Sequence, residues 1–372
     1  MQFIIKRDIL LKSLNYVQGV VEKKNTLPIL SNVLLQLKDN KLSILATDLD
    51  IAFYDEINDV KILKEGSTTT SAAILYDILR KISSNAELKF DLKSENKLSL
   101  KSHNSDFNLL CLPTDNFPTF ADEFENGEIS LNKERFLKLL NKTKISISND
   151  DTRHYLNGIF LHITESNGRN FLTGVATDSH RLSFSRLEVE NVNNFTQMIL
   201  PKKTVYQLSL LLSDAKEKLS LHTGENKIKF TLGNMKLISK VIDGKFPDYK
   251  KVVPTSNDKL LTVSSKEFIN AVERVMSVSL DRKEGIKLAI NKENIQLSVN
   301  SANSGEGNEL IKANYNSSNS LNISFNSKYL VDIASEIEDK NLKILLKDSV
   351  SPVLIEDDAD KGSYYVIMPM KI

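Results

Sequence analysis

The segment FIIKRDILLKSL, Phe3 to Leu14, decides the fold because its pattern returns twice along the chain. A short apolar strand leads through a polar break into an amphipathic helix. The same order of features occurs in ISLNKERFLKLL (Ile129 to Leu140) and in LTVSSKEFINAV (Leu261 to Val272). The starts of the three segments lie 126 and 132 residues apart, which predicts three similar domains in tandem.

A second set of segments has the same strand-then-helix pattern and follows the first set at a near-constant distance. It comprises TTTSAAILYDILRKI (Thr68 to Ile82), MILPKKTVYQLSLLL (Met198 to Leu212) and ISFNSKYLVDIASEI (Ile323 to Ile337). Alternating strands fill the gaps between these helices, and Asp39-Asn40 marks a predicted hairpin turn. The whole pattern favours an α+β fold.

We expect domains at residues 1–125, 126–253 and 254–372, each built from two strand–helix–strands units. Chance similarity between amphipathic helices is the alternative, and six helices in matched order argue against it. Open antiparallel sheets leave unpaired edges at both ends of such a chain. Two chains joined head to tail could pair the first domain of each with the third domain of the other, which closes a ring. An open rod or a monomer is also compatible with the sequence.

The net charge of the 372-residue chain is +1, from 49 basic and 48 acidic residues. The charge is unevenly distributed. Residues 126–253 hold 20 basic and 13 acidic residues (+7), residues 1–125 hold 15 and 18 (−3), and residues 254–372 hold 14 and 17 (−3). The excess of basic residues in 126–253 indicates either a solvated basic face or a middle domain that faces a polyanion.

Cysteine usage and hydropathy favour the cytoplasm. Cys111 is a single cysteine in an apolar run, so it forms no internal disulfide. The sequence has no apolar run of 18 residues and no apolar signal segment after Met1, which predicts neither a membrane span nor secretion.

Catalytic and ligand-binding motifs are absent from the sequence. It has no HExxH, no paired cysteines and no glycine-rich phosphate loop, so we predict no metal, no cofactor and no catalytic residues. Gly305-Glu306-Gly307 is expected to be a loop. Asp178 and His180 would share one face of a strand, with Ser179 opposite. This arrangement does not form a local catalytic triad, although a distant residue could complete one. A hydrolase that uses Asp178 and His180 is therefore an alternative function.

Five segments resemble the family of bacterial DNA polymerase III beta subunits, the sliding clamps. In order they are TLPILSN (Thr26 to Asn32), DTRHYLNG (Asp151 to Gly158), ATDSHRL (Ala176 to Leu182), DGKFPDY (Asp243 to Tyr249) and YYVIMPMKI (Tyr364 to Ile372). Together they span almost the whole chain. The resemblance implies a non-catalytic, head-to-tail homodimeric ring around duplex DNA, with helices inside and sheets outside.

The resemblance also implies a groove between the second and third domains. There, short peptides from the replicative polymerase, the clamp loader, repair polymerases and mismatch-repair proteins would bind. The matching residues are Arg153, Leu156, Thr177, His180, Arg181, Leu182, Pro247, Val252, Asn326, Tyr329, Val350, Val366, Met368, Pro369 and Met370. Apolar and methionine side chains can form an adaptable floor, and the basic side chains can bind a peptide backbone or carboxylate. For Met368 and Met370, packing of a terminal strand is the alternative.

Two further groups of residues are implied by the same resemblance. DNA contacts would come from Lys24, His154, Tyr155, Lys202 and Lys203, and dimer contacts from Phe107, Val275 and Met276. Phosphates carry no sequence information, so such DNA binding would be independent of sequence.

The chain departs from the family pattern at several positions. Ser179 stands where a glycine is usual, His154 where a tyrosine is frequent, and Lys371-Ile372 where Arg-Leu is usual. Asp281 to Glu284 is more charged than the usual loop. This last change lies at one edge of the implied groove. A monomeric peptide-binding scaffold is the second alternative function.

Overall fold

The computed structural model describes residues 1–22, 27–120, 122–124, 128–190, 195–214, 217–279, 285–302 and 304–371. The chain forms two compact units. Unit 1 consists chiefly of Met1–Leu137 and Lys203–Val241, and unit 2 chiefly of Lys138–Glu190 and Ile242–Ile372. Both units combine helices with antiparallel sheets, so the predicted α+β class is confirmed.

The first repeat runs from the start of the chain to the end of strand β9. Its elements are β1 Gln2–Lys6, α1 Arg7–Gln18, β2 Asn32–Lys38, β3 Lys41–Thr47, β4 Ile51–Ile57, β5 Lys61–Lys64, β6 Gly66–Ser71, α2 Ala72–Lys81, β7 Glu87–Ser94, β8 Lys97–Ser102 and β9 Ser105–Leu112.

The second repeat has the same order of strands and helices as the first, except that its described residues contain no counterpart of β5. Its elements are β10 Ile129–Leu131, α3 Lys133–Lys144, β11 Gly158–Ser166, β12 Arg169–Thr177, β13 Arg181–Glu188, β14 Met198–Pro201, α4 Lys202–Asp214, β15 Leu219–Thr223, β16 Lys227–Leu232 and β17 Met235–Lys240.

The third repeat completes the described chain. Its elements are β18 Lys259–Ser264, α5 Ser265–Met276, β19 Gly285–Ile290, β20 Asn294–Ser301, β21 Gly305–Lys312, β22 Asn314–Tyr315, β23 Leu321–Asn326, α6 Ser327–Ser335, β24 Asn341–Leu346, β25 Val353–Glu356 and β26 Ser363–Ile367. Each of the six predicted strand-then-helix segments is therefore confirmed.

Two sheets join neighbouring repeats through backbone pairing. In unit 1 the strand order is β10-β15-β16-β17-β4-β3-β2-β6-β9-β8-β7-β1-β5, and β17 pairs with β4. In unit 2 one sheet has the order β14-β11-β12-β13-β26-β25-β24-β18-β22, and β13 pairs with β26. A smaller sheet of unit 2 has the order β21-β20-β19-β23. The strands of the middle repeat are thus divided between the two units. The predicted domain boundaries follow the sequence repeat and stay a prediction.

The Asp39-Asn40 turn forms as predicted between β2 and β3. Both residues have left-handed φ angles, 52° for Asp39 and 59° for Asn40. This conformation suits a two-residue hairpin, because its twist matches that of the flanking strands.

The expected loop at Gly305-Glu306-Gly307 is wrong, because these residues begin strand β21 and pair with Val299–Ser301 of β20. Backbone hydrogen bonds to β20 determine the conformation of these residues, although glycine has a low intrinsic propensity for strands. Gly307 also lies close beneath the end of α5: a Cβ atom there would be 2.9 Å from the carbonyl oxygen of Val275.

Helix α5 buries its apolar face against its own repeat. Phe268, Val272 and Val275 are at most 3% exposed and share one core with strands β19 to β26. Val275, predicted as a dimer contact, is thus buried within its own repeat. Its role as a dimer contact stays a prediction. Met276 is partly buried against the same core, and Phe107 is partly exposed on β9.

A buried lysine joins helix α3 to the turn between β25 and β26. Lys142 is 2% exposed, and its Nζ lies 2.9 Å from Asp357, 3.0 Å from Asp360 and 3.4 Å from Glu338. Burial alone would raise the pKa of Asp360, but hydrogen bonds from Lys142 and its neighbours hold that pKa at about 2. The carboxylates and the ammonium group thus stabilise one another inside unit 2.

Among the described residues, no helix is both long and apolar enough to cross a membrane.

Replacing Lys142 with alanine should lower the free energy of unfolding by about 3–5 kcal/mol, because the buried carboxylate of Asp357 loses its cation and Asp360 keeps only Lys138. Lys138→Ala is the matched control: Lys138 binds Glu338 and Asp360 from a more exposed position, and its loss should cost about 0–1 kcal/mol. Urea unfolding measures both changes. The contribution of Asp360 should be present above pH 3.8, its ordinary pKa, and be lost as the pH falls towards about 2. Equal effects of the two substitutions would contradict this interpretation.

Candidate functional site

A tight turn links β12 to β13 in unit 2. The Thr177 hydroxyl donates to the carbonyl oxygen of Arg181 (2.7 Å), and Asp178 Oδ1 accepts from the backbone N–H groups of His180 and Arg181 (both 3.0 Å). Ser179 has a left-handed φ of 77°. Asp178 and His180 therefore lie in a turn, and the expectation that they share a strand face is wrong. The side-chain hydrogen bonds of Thr177 and Asp178 favour this turn over a continuous strand.

The Asp178 carboxylate serves the turn and Arg181. Its Oδ2 accepts from Arg181 Nε at 3.1 Å, while its Oδ1 accepts from backbone N–H groups. His180 meets this carboxylate through its backbone nitrogen, and the residue is exposed. A general base needs a carboxylate that orients its imidazole ring. These contacts therefore favour a structural role for Asp178 over a hydrolase mechanism.

Arg181 connects the turn to helix α6. The residue is 8% exposed, its Nη1 donates to Asp332 at 2.8 Å, and its guanidinium lies 4.2 Å from the centre of the Tyr329 ring. A buried guanidinium needs such partners to offset its loss of water. Arg181 is thereby held by two carboxylates and one aromatic face, and it fixes Tyr329 beside the turn.

A short 3₁₀ helix, Asp151–Leu156, lies on the other side of the same turn. Arg153 Nη1 donates to the Ser179 hydroxyl (2.6 Å), and Arg153 Nε donates to Asp150 (2.9 Å). Leu156 is 2% exposed and shares an apolar cluster with Leu182 and Val366. The motif DTRHYLNG thus contributes Arg153 to the polar edge of the candidate groove and Leu156 to the apolar cluster beneath it.

Strand β26 runs beside β13 and carries methionines past the turn. Leu182 lies opposite Val366, and the Met368 N–H donates to the carbonyl oxygen of His180 at 2.8 Å. Two residues later the Met370 N–H donates to the carbonyl oxygen of Ser324 on β23 (2.7 Å). Met368 is 40% exposed and Met370 42% exposed, so both side chains have surface free for a partner.

The segment after β17 is held against strand β11 by aromatic contacts. Phe246 stacks on Phe160 with ring centres 5.0 Å apart, and the Tyr249 hydroxyl lies 3.0 Å from His162 Nε2. Burial lowers the pKa of His162 to about 4, so the ring is neutral at pH 7. These contacts fix the segment that carries exposed Pro247 and Val252.

Three of the remaining predicted groove residues are Asn326, Pro369 and Val350. Asn326 caps helix α6 by accepting from the Tyr329 N–H (3.3 Å), and Pro369 lies between the two exposed methionines. Val350 is 64% exposed in the turn between β24 and β25. All fifteen predicted groove residues belong to unit 2. Direct contacts or shared strand register tie together the turn, the 3₁₀ helix, β26 and α6.

The predicted DNA-binding residues differ in their surroundings. His154 is exposed, whereas Tyr155 packs partly against the cluster that holds Leu156. Lys202 donates to Asn149. Lys203 lies 2.5 Å from Asp48 and donates to the carbonyl oxygen of Val20 at 2.8 Å, so its charge is largely compensated within unit 1.

Two of the sequence predictions lie outside the described residues. They are Lys24, as a DNA contact, and the departure at residues 281–284.

Comparison with known proteins identifies the family. Residues 1–121, 130–248 and 250–371 match, in that order, the N-terminal, central and C-terminal domains of the DNA polymerase III beta subunit. The chain belongs to the DNA polymerase III beta-subunit family. The beta sliding clamps of Caulobacter vibrioides and Escherichia coli are 36% and 32% identical to it, with 100% of each chain covered.

Solved sliding clamps have the same fold. The clamp from Bartonella birtlesii, solved bound to griselimycin, has a TM-score of 0.95 at 37% identity, with both chains covered completely. The DNA polymerase III subunit beta from Pseudomonas aeruginosa has a TM-score of 0.91 at 32% identity, again with complete coverage. The resemblance stated from the five motifs is thereby confirmed.

Two positions in this beta-subunit site were not foreseen from the sequence. Asp332, which binds Arg181, is 151 residues away along the chain, and no local pattern links the two. His162 is the second position that was not foreseen. Its hydrogen bond to Tyr249 holds the segment that carries Pro247 and Val252. The alternation of aromatic residues in Phe160-Leu161-His162 indicates one face of a strand, but it does not reveal the partner.

Substitutions at Ser179 should separate the conformation of the turn from its contact with Arg153. Ser179→Gly and Ser179→Ala both remove the hydroxyl, but only glycine adopts a left-handed φ without strain. We expect the glycine variant to be more stable than the alanine variant by about 0.5–1 kcal/mol. Urea unfolding of the two proteins measures the difference. An alanine variant as stable as the glycine variant would contradict the strained geometry.

Proposed function

We propose that this chain is a DNA polymerase processivity factor. The observation that carries the proposal is the ordered match of the whole chain to the three domains of the DNA polymerase III beta subunit. In this proposal two copies form a ring that encircles duplex DNA and slides along it in the cytoplasm. The ring performs no covalent step. It keeps a bound polymerase at high effective concentration near the primer end, so that dissociation is followed by rebinding.

The proposed dimer closes by pairing the first domain of each copy with the third domain of the other. Phe107 on β9 and Met276 at the end of α5 are its proposed apolar contacts. Inside the ring, helices face DNA phosphates, so binding has no sequence preference. The net charge of +1 fits a ring that must slide, because weak phosphate contacts allow movement. Lys24, His154, Tyr155, Lys202 and Lys203 are the proposed contacts, and a DNA phosphate would compete with Asp48 for the Nζ of Lys203.

The proposed partner site is the groove built around Arg153, His180, Leu182 and the exposed methionines of residues 368–370. Its clients are short peptides from the replicative polymerase, the clamp loader, repair polymerases and mismatch-repair proteins. Exposed backbone and basic groups on the rim can bind a peptide main chain, and Leu156, Leu182 and Val366 supply the floor. Methionine side chains adjust to different apolar anchors, which suits a site with several clients.

A monomeric peptide-binding scaffold is the alternative function. It would use the same groove but would leave the edges of β9 and β21 unpaired. The mass in solution separates the two functions, because only the ring requires a dimer.

Deleting residues 368–372 should abolish peptide binding, because it removes both exposed methionines while β26 stays paired with β13. His180→Ala should weaken binding about 2- to 13-fold, the equivalent of one net hydrogen bond worth about 0.5–1.5 kcal/mol. Fluorescence polarisation with a polymerase-tail peptide measures both. Lys371→Ala, at an exposed position in the same tail, is the control and should bind normally. Normal affinity in the truncated protein would place the partner site on another surface.

Binding to a short linear duplex should be weak, independent of sequence and steeply dependent on salt. Lys202→Glu should lower the affinity several-fold and reduce the salt slope by about one, whereas Lys251→Glu should leave both unchanged. The Lys251 side chain is 81% exposed and lies 3.4 Å from Asp248, on the segment that follows β17. Titrations at several salt concentrations test this. Tight binding of one particular sequence at physiological salt would argue against a sliding ring.

A further inference from the structure

The sulfur atoms of the chain differ widely in their exposure to solvent. The sequence has six methionines and one cysteine. Three of the methionines are at most 7% exposed, namely Met1, Met198 and Met235. Met276 is partly buried against the core of unit 2, whereas Met368 is 40% exposed and Met370 42% exposed. The two most accessible thioethers therefore lie two residues apart, in the segment proposed to bind client peptides.

Cys111 does not compete with these methionines for an oxidant. The residue is 5% exposed, and burial raises the pKa of its thiol. Peroxides react with the thiolate form of cysteine, so a buried thiol with a raised pKa is protected. A thioether has no proton to lose, so its oxidation requires only that the peroxide reach the sulfur. Exposure therefore selects Met368 and Met370 as the sulfur atoms that a peroxide oxidises first.

The backbone of the methionine segment is fixed by contacts that do not involve the two side chains. The Met368 N–H donates to the carbonyl oxygen of His180 at 2.8 Å, and the Met370 N–H donates to that of Ser324 at 2.7 Å. The preceding residues 365–367 are at most 3% exposed and anchor β26 in the core. A chemical change at the two thioethers therefore leaves the backbone in place.

Unit 1 indicates that the position of Met368 accepts a polar side chain. The Lys240 N–H donates to the carbonyl oxygen of Asp50 at 2.8 Å, as the Met368 N–H does to that of His180. Both hydrogen bonds adjoin a junction between repeats, β17 with β4 and β26 with β13. Lys240 is thus the counterpart of Met368, and its charged side chain is 56% exposed. A polar group at this position is compatible with the same backbone arrangement.

We propose that Met368 and Met370 form a methionine-oxidation site, and that a sulfoxide at either position lowers the affinity of the groove for its client peptides. The proposal rests on the proposed function, because it assigns a regulatory modification to the same groove. Hydrogen peroxide is the oxidant, and a thiol-dependent reductase of methionine sulfoxide reverses the modification.

The oxidation is a transfer of two electrons from sulfur to peroxide. A lone pair of the methionine sulfur forms a bond to one peroxide oxygen as the O–O bond breaks. The proton on the transferred oxygen passes to the departing hydroxide, which leaves as water. The thioether is thereby oxidised to a sulfoxide, and the peroxide is reduced. In the reverse reaction two thiols of the reductase become a disulfide, and the sulfoxide oxygen leaves as water.

A sulfoxide changes what these side chains offer to a partner. The thioether is apolar and adapts to varied apolar anchors, whereas the sulfoxide oxygen is a strong hydrogen-bond acceptor. Water satisfies this oxygen as long as the side chain is exposed. A client side chain that covers it removes the water, and the apolar cluster of Leu156, Leu182 and Val366 offers no donor in exchange. Client binding therefore weakens, while the stability of the fold changes little.

Fluorescence polarisation with a polymerase-tail peptide tests the proposal on the full chain. The protein is treated with hydrogen peroxide, which catalase removes before a peptide without methionine or cysteine is added. We expect oxygen to be added mainly at Met368 and Met370, as measured by peptide mass spectrometry, and the affinity to fall about tenfold. Incubation with methionine sulfoxide reductases of both stereospecificities and a dithiol should restore the affinity.

Two leucine variants assign the loss of affinity to particular sulfur atoms. The double variant Met368→Leu/Met370→Leu keeps apolar side chains of similar volume but has no thioether in the groove. The matched control, Met276→Leu, removes the partly buried methionine at the end of α5 instead. Each protein is compared with its own untreated sample. After peroxide treatment the double variant should keep its starting affinity, whereas Met276→Leu should lose affinity as the unmodified chain does.

The outcomes distinguish a failure of this proposal from a failure of the proposed function. Peptide binding that is lost on oxidation, and retained by the double leucine variant, supports both. Unchanged affinity after full oxidation of Met368 and Met370 overturns the oxidation site and leaves the proposed function standing. An equal loss of affinity in the double variant, or a lowered urea midpoint of the oxidised chain, does the same, because general damage then explains the loss. Absence of binding before oxidation overturns the groove and the oxidation site together.

Discussion

Antiparallel strand edges carry backbone N–H and C=O groups that need partners, and this need links the repeats of the chain. β17 supplies the partner for β4, and β26 supplies it for β13. Each junction joins the first half of one repeat to the second half of the next, so that the repeats form continuous sheets. The proposed groove lies at the second junction, where the Met368 N–H donates to the carbonyl oxygen of His180.

The two junctions differ in the side chains that surround the same backbone pattern. In unit 1 the Thr47–Ile51 turn has the same hydrogen bonds as the Thr177–Arg181 turn of unit 2. In the unit 1 turn, however, Asp48 binds Lys203, and Asp50 forms an ion pair with Lys240. In unit 2 Met368 stands where Lys240 stands in unit 1, because both N–H groups donate to the carbonyl oxygen of the residue before the next strand, His180 and Asp50. One backbone framework thus carries an ion pair at this position in unit 1 and an exposed methionine in unit 2. Function resides in the side chains placed on the junction.

Sequence patterns predicted the helices well because amphipathic stripes such as Phe268 and Val272 are local and periodic. They failed where contacts decide the conformation. Gly305 and Gly307 have no strand propensity, yet the ladder to β20 makes them a strand. Asp178 and His180 lie in a turn because side-chain hydrogen bonds from Thr177 and Asp178 close it. The five motifs predict the groove residues, and that part stays a prediction. The contact between Asp332 and Arg181 spans 151 residues, so no local pattern encodes it.

The composition of β21 has a consequence for chains that have not yet met a second copy. A flat, apolar edge strand would template fibril-like association with any exposed strand. Gly305, Glu306, Gly307, Asn308 and Glu309 carry no apolar side chain, so this edge offers little of the β-propensity on which fibril-like association depends. The same five residues contribute little to the core, so protection of the edge and stability of the fold reside in different parts of β21.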